Sequence, residues 1–395
     1  HPWAMEPPAT RSLLRWAWSG ACCVASPGAD AMNDPTALAR QHFMDGVVHF
    51  EASRLGEAER CFEAALALVP GRPSVLTNLG ATRVRLAKFA EAAPLLRQAC
   101  AAEPGNADAW GHLGTACAEL GLLEEALGAF DRALQIDPDV VEAWSRRGSL
   151  LREAGQLDEA AACFERAIAL GADDPLHRYY LAAVRGDTPA APPREYVQTL
   201  FDTYAGEFQG HLLSQLRYRA HELLVQGLQA LGPRRYPSVL DLGCGTGLCG
   251  PLVRPLADRL DGVDLSAGML ARARETGVYD QLFEADIGDW LGGAQRQDDL
   301  VLAADVFIYV GALEPVFRGV ADILAPGGVF AFSVEALPDA EDFRLMPSLR
   351  YAHSQAYVRR LAAQHGLLLR AVNQAPLRED QQQPVMGHYI YLQRT

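Results

Sequence analysis

Glycine returns every 34 residues through the first half of this chain, at Gly46, Gly80, Gly114 and Gly148. A fixed period constrains the fold more than any local motif, because each unit must bury its apolar face against its neighbours. The register carries a whole residue set. Twelve residues beyond each glycine stand Ala58, Ala92, Ala126 and Ala160, followed by Phe62, Leu96, Phe130 and Phe164, then by Ala65, Ala99, Ala133 and Ala167. Pro70, Pro104 and Pro138 close three units; the fourth has Ala172 in that place and Pro175 shortly after. Trp110 and Trp144 open the first helix of the third and fourth units. Small residues let two antiparallel helices approach closely, and proline ends the second helix because it cannot continue it. The Phe positions are expected to fill the space between neighbouring units.

This pattern resembles the tetratricopeptide repeat family across residues 39 to 172. The resemblance implies an all-α solenoid over residues 35–186, four units plus a capping helix from Pro175 to Arg185. It also implies a concave face that docks a protein or peptide, lined by Thr77, Asn78, Asp108, His112, Glu142, Ser145 and Arg152. That face is mixed in charge and lacks the Lys/Asn cluster with which such domains clamp a C-terminal carboxylate. The plainer alternative is a spacer or dimerisation element with an ordinary solvated surface.

A chain of 395 residues is too long for one ordinary core, so a second domain is expected. Gly186-Asp-Thr-Pro-Ala-Ala-Pro-Pro193 is rich in helix breakers, and residues 187–194 read as the linker. Residues 1–34 read as a disordered extension: Arg11 to Ala25 loosely mimics a secretion signal, but Ser19 and Gly20 interrupt its apolar stretch and Met32 directly precedes the first repeat. A net charge of −14, with Lys88 the single lysine, argues against a nucleic-acid partner. None of the eight cysteines forms a C-x-x-C pair, so zinc and dithiol chemistry have little support. The sequence has no apolar run long enough to span a membrane, and a cytoplasmic location is expected.

From Arg234 onward short apolar runs alternate with helical stretches, the mark of a parallel α/β sheet. Strands are expected at Val239–Leu242, Leu260–Asp264, Leu282–Ala285, Leu300–Ala303 and Val329–Val334, with helices at Ala267–Arg274 and Glu314–Leu324. Gly366–Val372 and His388–Gln393 read as a closing antiparallel pair joined by a long turn through Pro376 and Pro384.

The loop after the first strand satisfies two fingerprints. Gly245-Thr-Gly247-Leu-Cys-Gly250 is literally G-x-G-x-x-G, the dinucleotide pattern, and Asp264 follows at the distance of a ribose-binding acid. Asp241-Leu-Gly243-Cys244-Gly245-Thr-Gly247, however, together with Asp286 after the third strand and Pro326-Gly-Gly328 before the fifth, resembles the class I S-adenosylmethionine-dependent methyltransferases. The resemblance implies an α/β, Rossmann-like domain over residues 195–395 that takes S-adenosylmethionine. Its cofactor residues would be Asp241, Gly243, Cys244, Gly245, Gly247, Asp264, Leu265, Asp286 and Ile287, with Tyr204 of the segment Phe201–Phe208 as an aromatic lid. Asp264 would bind both ribose hydroxyls, and Asp286 and Ile287 the adenine. Asp264 could instead cap the next helix, a task open also to Ser266, and Asp286 could be a turn residue. No metal is expected.

Arg350-Tyr-Ala-His-Ser354 adds a resemblance to bacterial methyltransferases that carry tetratricopeptide repeats. Asp305, Tyr309 and His353 are the acceptor-side candidates, His353 either as a base or as a structural hydrogen-bonding residue. The Asn-Pro-Pro-Tyr tetrad of amide and base N-methyltransferases is missing; Ala304-Asp-Val-Phe307 stands there, which disfavours nucleobase amino acceptors. Two functions follow. One is a methyltransferase acting on a small-molecule or carrier-bound acceptor, or on a protein or peptide docked by the repeats. The other is an interaction scaffold whose methyltransferase fold binds cofactor without turnover.

Overall fold

The computed structural model describes residues 34–204, 218–380 and 383–395, without the side chains of residues 203, 204 and 380. The expected extension over residues 1–33 lies outside them. Contacts divide the chain into two compact units, one through His177 and one from Arg178.

The first unit is built from helix pairs: α1 (Pro35–Glu51) with α2 (Leu55–Leu68), α3 (Pro73–Arg85) with α4 (Phe89–Ala102), α5 (Ala107–Glu119) with α6 (Leu123–Ile136), and α7 (Val141–Glu153) with α8 (Leu157–Ala169). Helix α9 (Pro175–Arg185) follows and spans the division. A Cβ at Gly46, Gly80, Gly114 or Gly148 would stand within about 3 Å of the side chain of Phe62, Leu96, Phe130 or Phe164 respectively. The large residue therefore sits over the glycine of its own unit, sixteen residues back; Phe62 also clusters with Val75 and Leu79 of the next unit, and Phe130 with Ala143, as expected of residues that fill the space between units. The turn inside each pair needs a left-handed residue, and Ser53, Ala87, Gly121 and Gly155 supply it with φ of 56°, 56°, 73° and 76°. Trp110 and Trp144 each donate an indole N–H to the carbonyl of the turn proline six residues earlier, Pro104 at 3.1 Å and Pro138 at 2.9 Å.

The second unit begins with α10 (Arg194–Tyr204) and α11 (Ala220–Ala230) and then winds a mixed sheet. Strands β1 (Tyr236–Leu242), β2 (Ala257–Asp264), β3 (Gln281–Glu284), β4 (Asp298–Ala303) and the first part of β5 (Leu324–Leu337) are parallel in the order β3-β2-β1-β4-β5. Between them lie α12 (Gly250–Val253), α13 (Ala267–Glu275), α14 (Ile287–Gly293) and α15 (Glu314–Ile323). Helix α16 (Gln355–Gln364) precedes β8 (Leu367–Asp380), and β9 (Gln383–Arg394) runs back antiparallel between β5 and β8. Pro376 and Pro384 thus lie inside paired strands, opposite Met386 and Glu379, and not in the long turn expected from the sequence.

A second departure is the short hairpin of β6 (Phe343–Leu345) and β7 (Tyr351–Ser354). It pairs with the far end of β5, at Glu335 to Leu337, and absorbs the Arg350–Ser354 element. Residues 187–194 are no free tether. Leu345 N donates to Thr188 Oγ1, Tyr351 Oη to the Pro189 carbonyl, and Ala312 N to the Ala190 carbonyl.

Alternation along the central strands feeds two cores. Leu240, Leu242, Val301, Phe330 and Phe332 face one, while Val239, Leu300, Leu302, Val329 and Ala331 face the other. Because β1 has β2 on one side and β4 on the other, the connections leave it in opposite directions. The carboxyl ends of strands whose connections diverge in this way are where such a sheet takes a ligand into a crevice.

Candidate cofactor and acceptor site

Asp241 is the last residue but one of β1 and is 2% exposed, and the loop after the strand turns on Gly243, Gly245 and Gly247, with φ of 63°, 54° and 86°. These left-handed values cost any other residue about 1–2 kcal/mol. The glycines differ in surroundings. A Cβ on Gly243 would meet Val306 at 2.7 Å, and one on Gly247 would meet the Tyr279 ring at 3.0 Å, whereas one on Gly245 would meet nothing within 4 Å among the described residues. The loop is thus packed beneath and open in front. Cys244 donates its amide to the Val263 carbonyl at 3.0 Å, tying the loop to β2, and its thiol is buried and pushed up by that burial.

Asp264, the last residue of β2, is 9% exposed and accepts from Gly245 N and Ser266 N, each at 2.9 Å. Burial raises its pKa, and the backbone donors, including half-buried Leu265, oppose the rise. Ser266 caps α13 through Met269 N, leaving Asp264 free of that task, and Ser266 Oγ donates to Asp202 of α10 at 2.6 Å. At the neighbouring strand end, Ala285 N bonds to the Asp264 carbonyl. Asp286 follows, and its Oδ1 accepts from Gly288 N and Asp289 N as the cap of α14. Ile287 packs against the main core. The alternative expected of Asp286 is a turn residue; in the structure its Oδ1 caps α14. Tyr204 ends α10, and its side chain lies outside the described residues.

Asp305 sits two residues beyond β4 in the left-handed region, φ 59°. Its amide donates to Ser333 Oγ at 2.8 Å, and its carboxylate takes Nη1 of Arg378 at 3.3 Å; Nη2 of the same guanidinium reaches Glu335 at 2.7 Å. A register shift between Pro376 and Arg378 marks a bulge in β8 beside this buried arginine. Tyr309 stands edge-on to Phe201 of α10, ring centres 5.0 Å apart.

His353 is wholly buried, its ring centre 6.1 Å from that of Phe343 and 6.2 Å from that of Tyr357, with Nε2 bonded to the Gly311 carbonyl at 2.8 Å. Burial pushes its pKa down to about 4. Of the two readings of His353, these contacts match the structural one.

The structure brings together Asp241, Gly243, Cys244, Gly245, Gly247, Asp264 and Leu265, and sets Asp305 near them, since Val306 underlies Gly243. Sequence reasoning missed Asp202, Tyr279, Glu335 and Arg378. None carries a motif; each is recruited by tertiary packing.

A family model for the tetratricopeptide repeat matches residues 77–141, and another matches residues 123–184. A model for a methyltransferase domain matches residues 239–328, which contain the whole glycine loop and Asp264. The chain thus carries matches to tetratricopeptide repeats and, further on, to a methyltransferase domain. Among curated proteins, this methyltransferase domain is 32% identical over 155 residues to a malonyl-[acyl-carrier protein] O-methyltransferase of Enterobacter lignolyticus, covering 39% of this chain and 59% of that one. It is 34% identical over 147 residues to a trans-aconitate 2-methyltransferase of Paracidovorax citrulli, covering 37% and 50%. The chain thus spans only about half the length of these relatives. A magnesium protoporphyrin IX methyltransferase from Synechocystis, solved with S-adenosylhomocysteine, is similar at a TM-score of 0.41 and 16% identity, over 51% of this chain and 99% of that one.

S-adenosylmethionine is the cofactor of such domains, and the residues present fit it. The open space in front of Gly245 admits a ligand against bare backbone, and the buried Asp264 carboxylate beside it suits a pair of hydroxyls. Among the described residues, no helix is long and apolar enough to cross a membrane, and no cluster of His, Cys, Asp and Glu could hold a metal ion.

Proposed function

We propose that the protein is an S-adenosylmethionine-dependent methyltransferase whose repeats dock a protein, peptide or carrier-bound acceptor. The observation that carries the reading is the join between Gly245 and Asp264. It places an open glycine backbone and a buried carboxylate side by side at the carboxyl ends of β1 and β2.

Bound S-adenosylmethionine would supply a methyl group that passes to an acceptor's nucleophile in line with the carbon–sulfur bond, with S-adenosylhomocysteine leaving as the neutral thioether. The chain's own task is positioning. Asp264 holds the ribose, Gly243 to Gly247 clear the approach of the methionine portion, and Asp305 with Tyr309 faces the acceptor. The Asp305 carboxylate is fixed by Arg378, and its backbone by Ser333, so it orients an acceptor without needing to reorganise. Three relatives support an acceptor with a carboxyl group, since one is named for a malonyl carrier protein and two for trans-aconitate. The first of these names also suits a carrier-bound acceptor.

The test is release of S-adenosylhomocysteine on fractionated cell extract. The full chain is compared with Asp264→Ala and with residues 173–395. Release that is lost in Asp264→Ala supports the enzyme. Cofactor binding without release on any fraction supports the scaffold. Equal activity of the shortened chain on every acceptor removes the docking role.

A further inference from the structure

Tyr279 lies in the connection between α13 and β3, away from every recognised motif. Its hydroxyl donates to Oδ2 of Asp241 at 2.7 Å, and the two residues are 38 positions apart. Its ring also lies where two glycines have no side chain: a Cβ on Gly247 would meet Cε2 at 3.0 Å, and one on Gly250 would meet it at 2.8 Å. The third glycine of the apparent dinucleotide fingerprint is therefore accounted for by this ring and by Val278, not by a phosphate.

Resting on the cofactor reading above, we infer that Tyr279 is a positioning residue for the cofactor. It props the glycine loop from beneath and holds the Asp241 carboxylate in place for the cationic end of S-adenosylmethionine. The groups that face Asp241 are the Tyr279 phenol, the Asp264 carboxylate and the thiols of Cys244 and Cys249. Burial pushes both thiols and the phenol up, so they stay neutral. Asp241 itself is pushed up to about 7 by burial, with Asp264 adding to the rise and the Tyr279 hydrogen bond opposing it. The cofactor's positive charge favours the ionised carboxylate. Binding near neutral pH therefore expels a proton, and affinity falls as pH drops through this range. Removing the hydroxyl removes the interaction that favours ionisation, which moves the fall to higher pH.

The experiment is calorimetry of the full chain with S-adenosylmethionine from about pH 6 to about pH 9, in two buffers of different ionisation enthalpy. Wild type is expected to release a proton on binding near pH 7 and to lose affinity by up to about ten-fold per unit below it. Tyr279→Phe keeps the ring and is expected to bind about ten-fold more weakly at neutral pH, recovering toward wild type in alkali. Asp241→Asn should bind weakly with no pH dependence in this range.

A wild type that binds no cofactor at any pH overturns the cofactor reading itself. A wild type that binds with pH-independent affinity and no proton release overturns the role of Asp241 and Tyr279, whether or not the variants fold. So does a Tyr279→Phe curve that coincides with that of wild type.

Discussion

Gly245 donates its amide to the carboxylate of Asp264, 19 residues away, so the loop after β1 and the end of β2 form one surface. Asp264→Ala leaves this amide without its partner and takes a buried anion from the ribose position. Cofactor affinity should fall by about 2–5 kcal/mol, read by calorimetry, with the circular dichroism spectrum unchanged.

Gly243 and Gly245 should respond differently to alanine. Both have positive φ, so each substitution strains the backbone by about 1–2 kcal/mol. At Gly243 the new methyl also strikes Val306, whereas at Gly245 it enters open space. Gly243→Ala should therefore lower the melting temperature more. Gly245→Ala should lower it less and yet weaken S-adenosylmethionine binding through occupation of the cradle. Equal melting losses in the two variants would contradict this packing.

The repeats offer a reversal of sign. Gly114→Ala places a Cβ 2.8 Å from Phe130 and should destabilise by about 1–3 kcal/mol. Gly128 lies on the exposed side of α6 with nothing near its missing Cβ, so Gly128→Ala should stabilise by about 0.5–1 kcal/mol. Urea denaturation of the two variants checks both directions.

His353 makes the fold sensitive to acid. Its folded pKa of about 4 lies below the ordinary value, so the unfolded chain binds the extra proton. Stability that is present at neutral pH is then lost as pH falls from about 6.5 to about 4, by up to about 3 kcal/mol. His353→Phe should flatten that slope in denaturation measured across this window. Were His353 a base at the acceptor, the same variant would abolish methyl transfer; from its burial, residual activity is expected instead.

What the sequence disclosed was whatever depends on short chain distances. The 34-residue register survives in letters because each glycine answers a residue sixteen positions later in the same helix pair. The glycine loop is equally local, and Asp264 follows at a fixed strand-helix-strand distance. His353 was ambiguous for the opposite reason. Its surroundings come from Phe343, Tyr357 and the Gly311 carbonyl, and strand β6 was not recognised at all. Arg378 and Tyr279 escaped notice because nothing in their own neighbourhoods states what they touch. Pro376 and Pro384 read as turn markers, but β8 is a strand with β9 on one side, and proline is tolerated where its missing amide has no ladder partner to satisfy.

The position of β9 sets an order of events during synthesis. It is made after both β5 and β8, yet it lies between them, and β5 carries the stacked pair Phe330 and Phe332 into the core. Until β9 emerges from the ribosome, β5 has no partner along the edge from Val329 to Val334, whereas each helix pair finds its neighbour as soon as the next pair is made. The repeats are thus folded while the sheet still waits, and a chain that stalls or is cut before Gln383 presents an open strand edge prone to aggregation.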